Sequence, residues 1–290
     1  MRRSPLRKIA PAFPALLLTG AVLLLPACRS HPTVTGPAND PRPPRANPAP
    51  PTNDRFARAR LWKPPDAPTT QGWSGLLAPL ILEEVIGTEP APGTPTPHLR
   101  MFAHEESIFV GGRLRPQIFY LWRQEEASTS GRHPPPPWQG IRILLGSRDL
   151  PILWETAGTV VPRRHLYVAR HWEEAAARRW GPPAPPRRFA VETPAATQPH
   201  APAFVTDIFD DAPMPMGPIV HITAEGRIAS LICRCSPARV QRLSSQLPYE
   251  LQPLSAALTM NHLDPVPAPG SAAWLTAAQL ETLLHWLPDL

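Results

Sequence analysis

Proline is the residue that most constrains this chain, since it accounts for 44 of the 290 residues, against an average usage of roughly 5%. Proline fixes φ and has no N–H, so it is excluded from helix interiors and from central strands. The abundance argues against a helical bundle or a repeat solenoid and favours short elements joined by loops. The hydrophobic content of 42% is nevertheless enough for a core, so the chain is not disordered throughout.

The net charge of +6 is concentrated at the N-terminus. Arg2, Arg3, Arg7 and Lys8 lie in the first eight residues, and without residues 1–27 the chain has 25 basic against 23 acidic residues. The remainder is nearly neutral, which removes the main argument for binding a phosphate backbone. We therefore predict no nucleic-acid partner.

Lysine is almost absent, with Lys8 and Lys63 the only two in the chain. Lys63 is followed by Pro64 and Pro65, which argues against P-loop, Schiff-base and Ser-x-x-Lys sites. No Gly-x-Ser-x-Gly, dinucleotide-binding or Cys-x-x-Cys motif occurs. We predict no cofactor, and the chain is more easily explained as a non-enzyme.

The N-terminus has the form of a signal peptide. The basic residues precede an apolar stretch, Ala15–Leu25, whose 11 residues are too few to span a bilayer as a helix, which needs about 20. The sequence Leu25-Pro26-Ala27-Cys28 then resembles the lipobox of bacterial lipoproteins. That resemblance implies cleavage before Cys28 and diacylglycerol on its thiol. An ordinary secretory signal is the alternative.

The resemblance also implies a location. Arg29 follows the cysteine where an aspartate would retain the protein at the inner membrane. We predict a bacterial cell-envelope protein, anchored in the membrane through the lipid at Cys28, in the outer membrane and facing the periplasm.

The chain divides into three parts by composition. Residues 1–27 are the predicted signal peptide, and residues 28–60 alternate proline with small and polar residues, which is typical of an extended tether. Residues 61–290 are long enough for one globular domain.

The hydrophobic pattern predicts an α+β fold, with a mainly antiparallel sheet of short strands and hairpins and about four helices packed on it. Helices are predicted after Trp73 through the apolar run 76–86, at 171–180, at 236–246 and after the capping box of Thr276 and Gln279. Strands are predicted at 99–103, 107–110, 117–122, 141–145, 152–155, 165–169, 189–191, 204–209, 219–223 and 227–232.

Cys233-Arg234-Cys235 is the sharpest chemical feature of the domain. It follows a predicted strand and precedes Ser236-Pro237, a helix start whose free amides would favour a thiolate. Buried structural thiols, a disulfide, and a redox or metal function all remain open.

Other polar groups have simpler interpretations. We predict His104-Glu105-Glu106 to be a solvated turn and Asp207, Asp210 and Asp211 to be an acidic turn rather than a calcium site. His165, His171 and Glu173-Glu174 are expected at a strand end and helix start, not in catalysis. Most of the nine tryptophans are expected in the core, although those near prolines, Trp62, Trp138, Trp180 and Trp286, could offer stacking platforms for glycans or partners.

These observations favour a non-catalytic, lipid-anchored envelope protein that binds a protein or cell-wall partner. One alternative is a periplasmic thiol-redox or metal-binding protein using Cys233 and Cys235. A second alternative is an envelope hydrolase whose site is dispersed along the sequence, marked by a Ser–His pair or converging carboxylates.

Overall fold

The computed structural model describes residues 59–65, 72–85, 98–124, 138–158, 163–211, 216–224, 226–232, 246–259, 266–267, 269–288 and 290. The chain divides into two units, Met1–Pro50 and Pro51–Leu290, and every described residue belongs to the second. Its described part is an α+β fold built on two mixed β-sheets.

The smaller sheet has five strands in the order β10-β9-β2-β1-β11. Two of its neighbouring pairs are parallel and join strands far apart in sequence, namely β1 with β11 and β2 with β9. The strands are β1 (Arg60–Lys63), β2 (Leu80–Glu83), β9 (Ile219–Ile222), β10 (Ile228–Ile232) and β11 (Gln246–Pro248).

The larger sheet has seven strands in the order β12-β3-β4-β5-β6-β7-β8. Strands β3 to β7 form an antiparallel meander, and a parallel strand closes each edge. The strands are β3 (Leu99–Val110), β4 (Arg113–Gln124), β5 (Gln139–Leu145), β6 (Pro151–Ala157), β7 (Arg164–Ala169), β8 (Ala203–Phe209) and β12 (Glu250–Pro253).

Four α-helices occur in the described residues. They are α1 (Trp73–Leu76), α2 (Arg170–Trp180), α3 (Leu254–Thr259) and α4 (Ala277–Leu283), and Pro194–Thr197 is a 3-10 turn. The prediction of about four helices is thus confirmed, whereas the prediction of a mainly antiparallel sheet is only partly right. Four of the ten described strand pairs are parallel.

The main core lies between the two sheets. Side chains of the smaller sheet, including Trp62, Ile81 and Val220, form one apolar cluster with Tyr120 and Trp154 of the larger sheet. Six of the nine tryptophans are buried: Trp62, Trp122, Trp138, Trp154, Trp172 and Trp274. Trp73, Trp180 and Trp286 are partly exposed, so the expectation of core tryptophans is met by most of them.

The opposite face of the larger sheet is covered by helices and by the C-terminal residues. Trp172 and Ala176 of α2 pack there with Leu280, Leu283 and other leucines from α4 and its flanks. A separate cluster beneath α3 contains Phe119, Leu121, Trp138, Leu254 and Trp274. This second face is the one that carries the charged groups described below.

Two helices match the sequence signals closely. Thr276 caps α4 by accepting from the Gln279 backbone N–H, and the Gln279 side chain accepts in return from Thr276. Helix α2 ends at Gly181, whose φ of 83° supplies the left-handed conformation that ends a helix.

Three local predictions are wrong. The apolar run after Trp73 forms only the short α1 and then β2, which is a strand because it pairs on both sides with β1 and β9. His104, Glu105 and Glu106 are not a turn, since β3 runs unbroken through them and pairs with β4 along its whole length. Residues 189–191 are not a strand.

The reason why residues 189–191 do not form the predicted strand is physical. The Glu192 carboxylate accepts from the backbone N–H groups of Arg188 and Phe189, and the Glu173 carboxylate accepts from those of Ala190 and Val191. These side chains satisfy amides that a sheet ladder would otherwise satisfy.

Candidate functional site

The three residues predicted from sequence as modification or thiol sites are Cys28, Cys233 and Cys235. All three lie outside the described residues. The predicted helix at 236–246 lies there as well, apart from its last residue, Gln246, which begins strand β11. The predictions for these residues stay predictions.

The described residues contain a buried ion cluster that the sequence analysis did not identify. Arg142 on β5 and Glu155 on β6 are opposite each other in the ladder, and their side chains form an ion pair. Both side chains are almost fully inaccessible to water. Arg164 lies at the edge of the cluster, with its Nε 3.7 Å from Glu155 Oε1.

This cluster binds the C-terminal segment through its backbone. Glu155 Oε1 accepts from the Leu275 N–H at 2.8 Å, and Arg142 Nη1 donates to the Leu275 carbonyl at 2.9 Å. Arg164 donates to the carbonyls of Ala272 and Ala273. The strands β5, β6 and β7 are therefore joined to the segment 272–275 by charge-assisted hydrogen bonds, which are stronger than hydrogen bonds between neutral groups.

The cluster continues toward solvent across the strands, from β5 through β4 to β3. Arg142 lies 3.4 Å from Gln117 Oε1, and Gln117 donates to Glu106 Oε1 at 2.8 Å. Glu106 in turn lies 3.5 Å from His104 Nε2. His104 and Glu106, expected in a solvated turn, are thus the exposed end of a polar row that passes into the sheet.

Burial raises the pKa of the Glu155 carboxyl above its ordinary value, while Arg142, the Leu275 N–H and Arg164 act in the opposite direction. Raised carboxyl pKa values are common at catalytic sites, but here every polar contact of Glu155 goes to a structural partner. The cluster thus attaches the segment 272–275 to the larger sheet.

A sequence signal for this cluster existed. Arg142 stands between Ile141 and Ile143, and Glu155 stands between Trp154 and Thr156, in two strands predicted to form one hairpin. Opposite charges at matching positions of adjacent strands predict a cross-strand pair.

The predicted acidic and histidine residues form local contacts at one end of α2. Asp211 accepts from the His171 backbone N–H at 3.0 Å and contacts His171 Nδ1 at 2.5 Å, while Asp210 accepts from Arg170 Nε at 2.6 Å. Asp211 thus caps the helix N-terminus, which has no side-chain cap from its own N-cap residue, whereas Asp210 contacts the Arg170 side chain. Nowhere in the described residues do three metal-binding side chains gather into a possible ion site.

His165 and Asp207 lie on the neighbouring strands β7 and β8, so the prediction that Asp207 belongs to an acidic turn is wrong. His165 Nδ1 lies 3.0 Å from Thr206 Oγ1, and Asp207 accepts from the next backbone N–H. The structure therefore brings His171 together with Asp211 and leaves the other predicted groups in separate contacts.

A serine and a histidine do meet on the smaller sheet. Ser230 on β10 is opposite His221 on β9, and Ser230 Oγ lies 3.1 Å from His221 Nδ1. Both side chains are partly exposed. A nucleophilic serine needs such a base, although the same geometry is usual for a cross-strand hydrogen-bonded pair.

Among the described residues, the two most exposed large apolar side chains lie at the end of the β3–β4 hairpin. Phe109 and Leu114 are opposite each other beside the turn at Gly111 and Gly112, and they are 63% and 69% exposed. On the other side of the same ribbon, Arg115 is buried with its guanidinium 5.5 Å from the Trp286 ring. One face of the hairpin end is thus packed and the other is open.

The backbone edge of this hairpin end is also open within the described part of the chain. Strand β12 pairs with β3 only from Arg100 to Ala103, so residues 104–110 have a described partner on the β4 side alone. An edge strand with unpaired N–H and C=O groups is a template for another strand. We call residues 104–110 with 113–116 the hairpin tip.

Comparisons with known proteins give no relatives: no family model matches the chain, and neither a curated protein nor a solved structure does. Among the described helices, none has the length and apolar character needed to cross a membrane. Arguments about function therefore come from the residues themselves.

Proposed function

We propose that this chain is a non-catalytic, lipid-anchored protein of the bacterial cell envelope that binds another protein through its hairpin tip. The observation that supports this binding site is the exposed pair of Phe109 and Leu114 next to an open strand edge. Covering a phenylalanine or a leucine side chain contributes about 1.5–3 kcal/mol each. Strand addition contributes main-chain hydrogen bonds along the same edge.

The expected occupant is an extended segment of a different protein. On the open face, Glu105 lies four residues before Phe109 along the edge, and its carboxylate accepts from the Ser74 N–H at 2.5 Å. The segment that fits this edge therefore carries an apolar residue opposite Phe109. A second copy fits poorly. Symmetric antiparallel pairing about Ser107, the middle of the edge, would set the Glu105 carboxylate of each copy opposite the Phe109 ring of the other.

The test is site-specific photocrosslinking in native cells. A photoreactive side chain at position 114 is expected to give one adduct with another protein, and Phe109→Ser is expected to abolish that adduct. Leu258 and Leu76 are the matched controls, because they are exposed leucines, 60% and 54%, on the helices α3 and α1 and not on the hairpin tip. Probes at those positions should give no such adduct, and Leu258→Ser should not weaken the adduct from position 114.

Three results would contradict this proposal. They are no adduct from position 114, equal adducts from all positions, or an adduct consisting of two copies of this chain. The last result would identify the occupant as a second copy.

The lipid anchor is tested separately by the intact mass of membrane-extracted protein. We expect a diacylglycerol mass in the wild type that is absent in Cys28→Ser. If the wild type carries no lipid, the chain is secreted and the anchor is wrong, whatever the crosslinking shows. Metal or reversible thiol oxidation that disappears in Cys233→Ser/Cys235→Ser would instead favour the thiol alternative.

The contact between Ser230 and His221 supports a second candidate, an envelope hydrolase. A fluorophosphonate reagent distinguishes the two, since it labels only an activated serine. Labelling that is lost in both Ser230→Ala and His221→Ala would favour the hydrolase. No labelling would leave the pair as a cross-strand hydrogen bond.

A further inference from the structure

A second surface, unrelated to the hairpin tip, combines arginines with an aromatic stack. At the end of α2 the Trp180 ring stacks on His285, with centroids 4.5 Å apart and planes at 19°. The Arg179 guanidinium lies 5.6 Å from the Trp180 ring, and Arg178 occupies the same last turn. We call Arg178, Arg179, Trp180, Arg187 and His285 the basic aromatic cluster.

The backbone at His285 holds this stack in place. Its N–H donates to the Val191 carbonyl at 2.8 Å, and its carbonyl accepts from Trp172 Nε1 at 3.0 Å. Burial and the nearby Arg187 lower the pKa of the His285 imidazole, which therefore stays neutral above pH 7. Trp180 is thus fixed with a partly exposed edge while the arginines around it keep their charge.

The arginines are poorly neutralised. Within the part of the chain that the structure describes, Arg179 and Arg187 form no ion pair, and Arg178 has only a loose contact with Glu174 at 3.9 Å between two exposed side chains. Exposed pairs of this kind contribute little. The connecting loop, residues 182–186, is fully exposed and contains four prolines and an alanine but no acid.

We infer that the basic aromatic cluster binds the phosphate groups of an anionic bilayer surface. Arginine recognises phosphate oxygens through its planar fork of donors, and tryptophan is favoured at the headgroup level, where one part of the ring is apolar and another is wet. A flat surface is also the ligand that suits an exposed loop without a described cavity.

The tether favours a bilayer over a soluble anion as the ligand, because it would keep the domain close to the membrane. This part of the inference rests on the proposed lipid anchor. Residues 28–60 would hold the domain within roughly 30 to 100 Å of the membrane, depending on how extended the proline-rich segment is. Tethering of this kind gives effective concentrations in the millimolar range, so a few arginines suffice for docking.

The test uses the full lipidated protein on vesicles of phosphatidylcholine alone or with 30% phosphatidylglycerol, each containing a brominated lipid. Attachment to the neutral vesicles reports the anchor. Quenching of Trp180 fluorescence, identified by its loss in Trp180→Phe, reports docking. We expect quenching on the anionic vesicles alone, and its loss at high salt.

Two double variants that remove the same charge distinguish an effect of the cluster from an effect of the protein's net charge. Arg179→Gln/Arg187→Gln should weaken docking about 25-fold, because each arginine near an anionic surface contributes about a fivefold change in binding. Arg100→Gln/Arg148→Gln removes the same charge from exposed positions outside the cluster and outside the hairpin tip, and should leave docking unchanged.

Equal quenching on neutral and anionic vesicles, or equal effects of the two pairs, would overturn the inference. So would arginine-dependent binding to soluble poly-glutamate without quenching on anionic vesicles, which would indicate an acidic protein as the partner. Protein that does not attach to neutral vesicles would show that the anchor has failed, independently of the cluster.

Discussion

Replacing Arg142 by methionine tests whether the buried ion cluster stabilises the fold. The substitution removes the ion pair with Glu155 and the hydrogen bond to the Leu275 carbonyl, and leaves Glu155 fully buried with Arg164 as its remaining cation. Breaking a buried pair from one side costs about 3–5 kcal/mol. Since a domain is stable by only about 5–15 kcal/mol, this is a large share of the free energy of unfolding.

The cost should depend on pH in a defined direction. Burial already raises the pKa of the Glu155 carboxyl, and Arg142 is the largest influence that lowers it, so Arg142→Met raises that pKa further. At a pH between the ordinary carboxyl pKa, about 4.3, and the raised pKa of Glu155, the folded variant keeps the Glu155 proton, whereas the unfolded chain has lost it. Its stability therefore falls as pH rises, by about 1.4 kcal/mol per pH unit in that window.

Urea unfolding followed by tryptophan fluorescence at pH 5 and pH 8 measures both effects, with Trp154 next to Glu155 as an internal reporter. The double variant Arg142→Met/Glu155→Leu is the control. It removes both charges and should cost only about 1–3 kcal/mol for the Leu275 N–H left without an acceptor. A cost below about 1 kcal/mol for Arg142→Met, equal at both pH values, would refute the reasoning, as would a double variant less stable than Arg142→Met.

Three further predictions concern local features and use the same unfolding assay. Gly111→Ala should cost about 1–3 kcal/mol more than Gly112→Ala, because both have positive φ but only a Cβ at Gly111 would meet the Trp286 ring, at 2.9 Å; equal costs would show that the ring moves away freely. Thr276→Ala should cost about 1 kcal/mol through loss of the α4 cap, with little change expected from Thr282→Ala, an exposed position inside the same helix. Phe109→Ser/Leu114→Ser should change stability by less than about 0.5 kcal/mol per site, since both side chains are exposed; a larger loss would mean that they belong to the core and not to a binding surface.

Features encoded within a few residues were predictable from the sequence. The capping box of α4, the glycine after α2 and the turn between β5 and β6 each depend on neighbours in the chain. Strand β2 was not predictable in this way. A short apolar run suits a helix or a strand, and pairing with β1 and β9 decided between them.

The parallel strand pairs and the buried cluster required information from distant segments. Strand β12 pairs with β3 across about 150 residues of sequence, and β11 pairs with β1 across about 185. No local sequence pattern predicts such pairs. Arg142 and Glu155 were visible as opposite charges in one hairpin, but their partner Leu275 offers only its backbone, which every residue has. The sequence therefore could predict an ion pair there but not the segment that it holds.

The backbone contacts of Leu275 have a consequence for how the protein is made. Arg142 and Leu275 are 133 residues apart, so a chain that emerges N-terminus first, from a ribosome or from an export channel, presents the meander of β3 to β7 long before the segment that satisfies Arg142 and Glu155. Until then the two charges need water, and the sheet face that they occupy cannot become dry. A chain cut short before residue 272 should accordingly remain an open, partly hydrated sheet, and this step of folding waits until residues 272–275 have emerged.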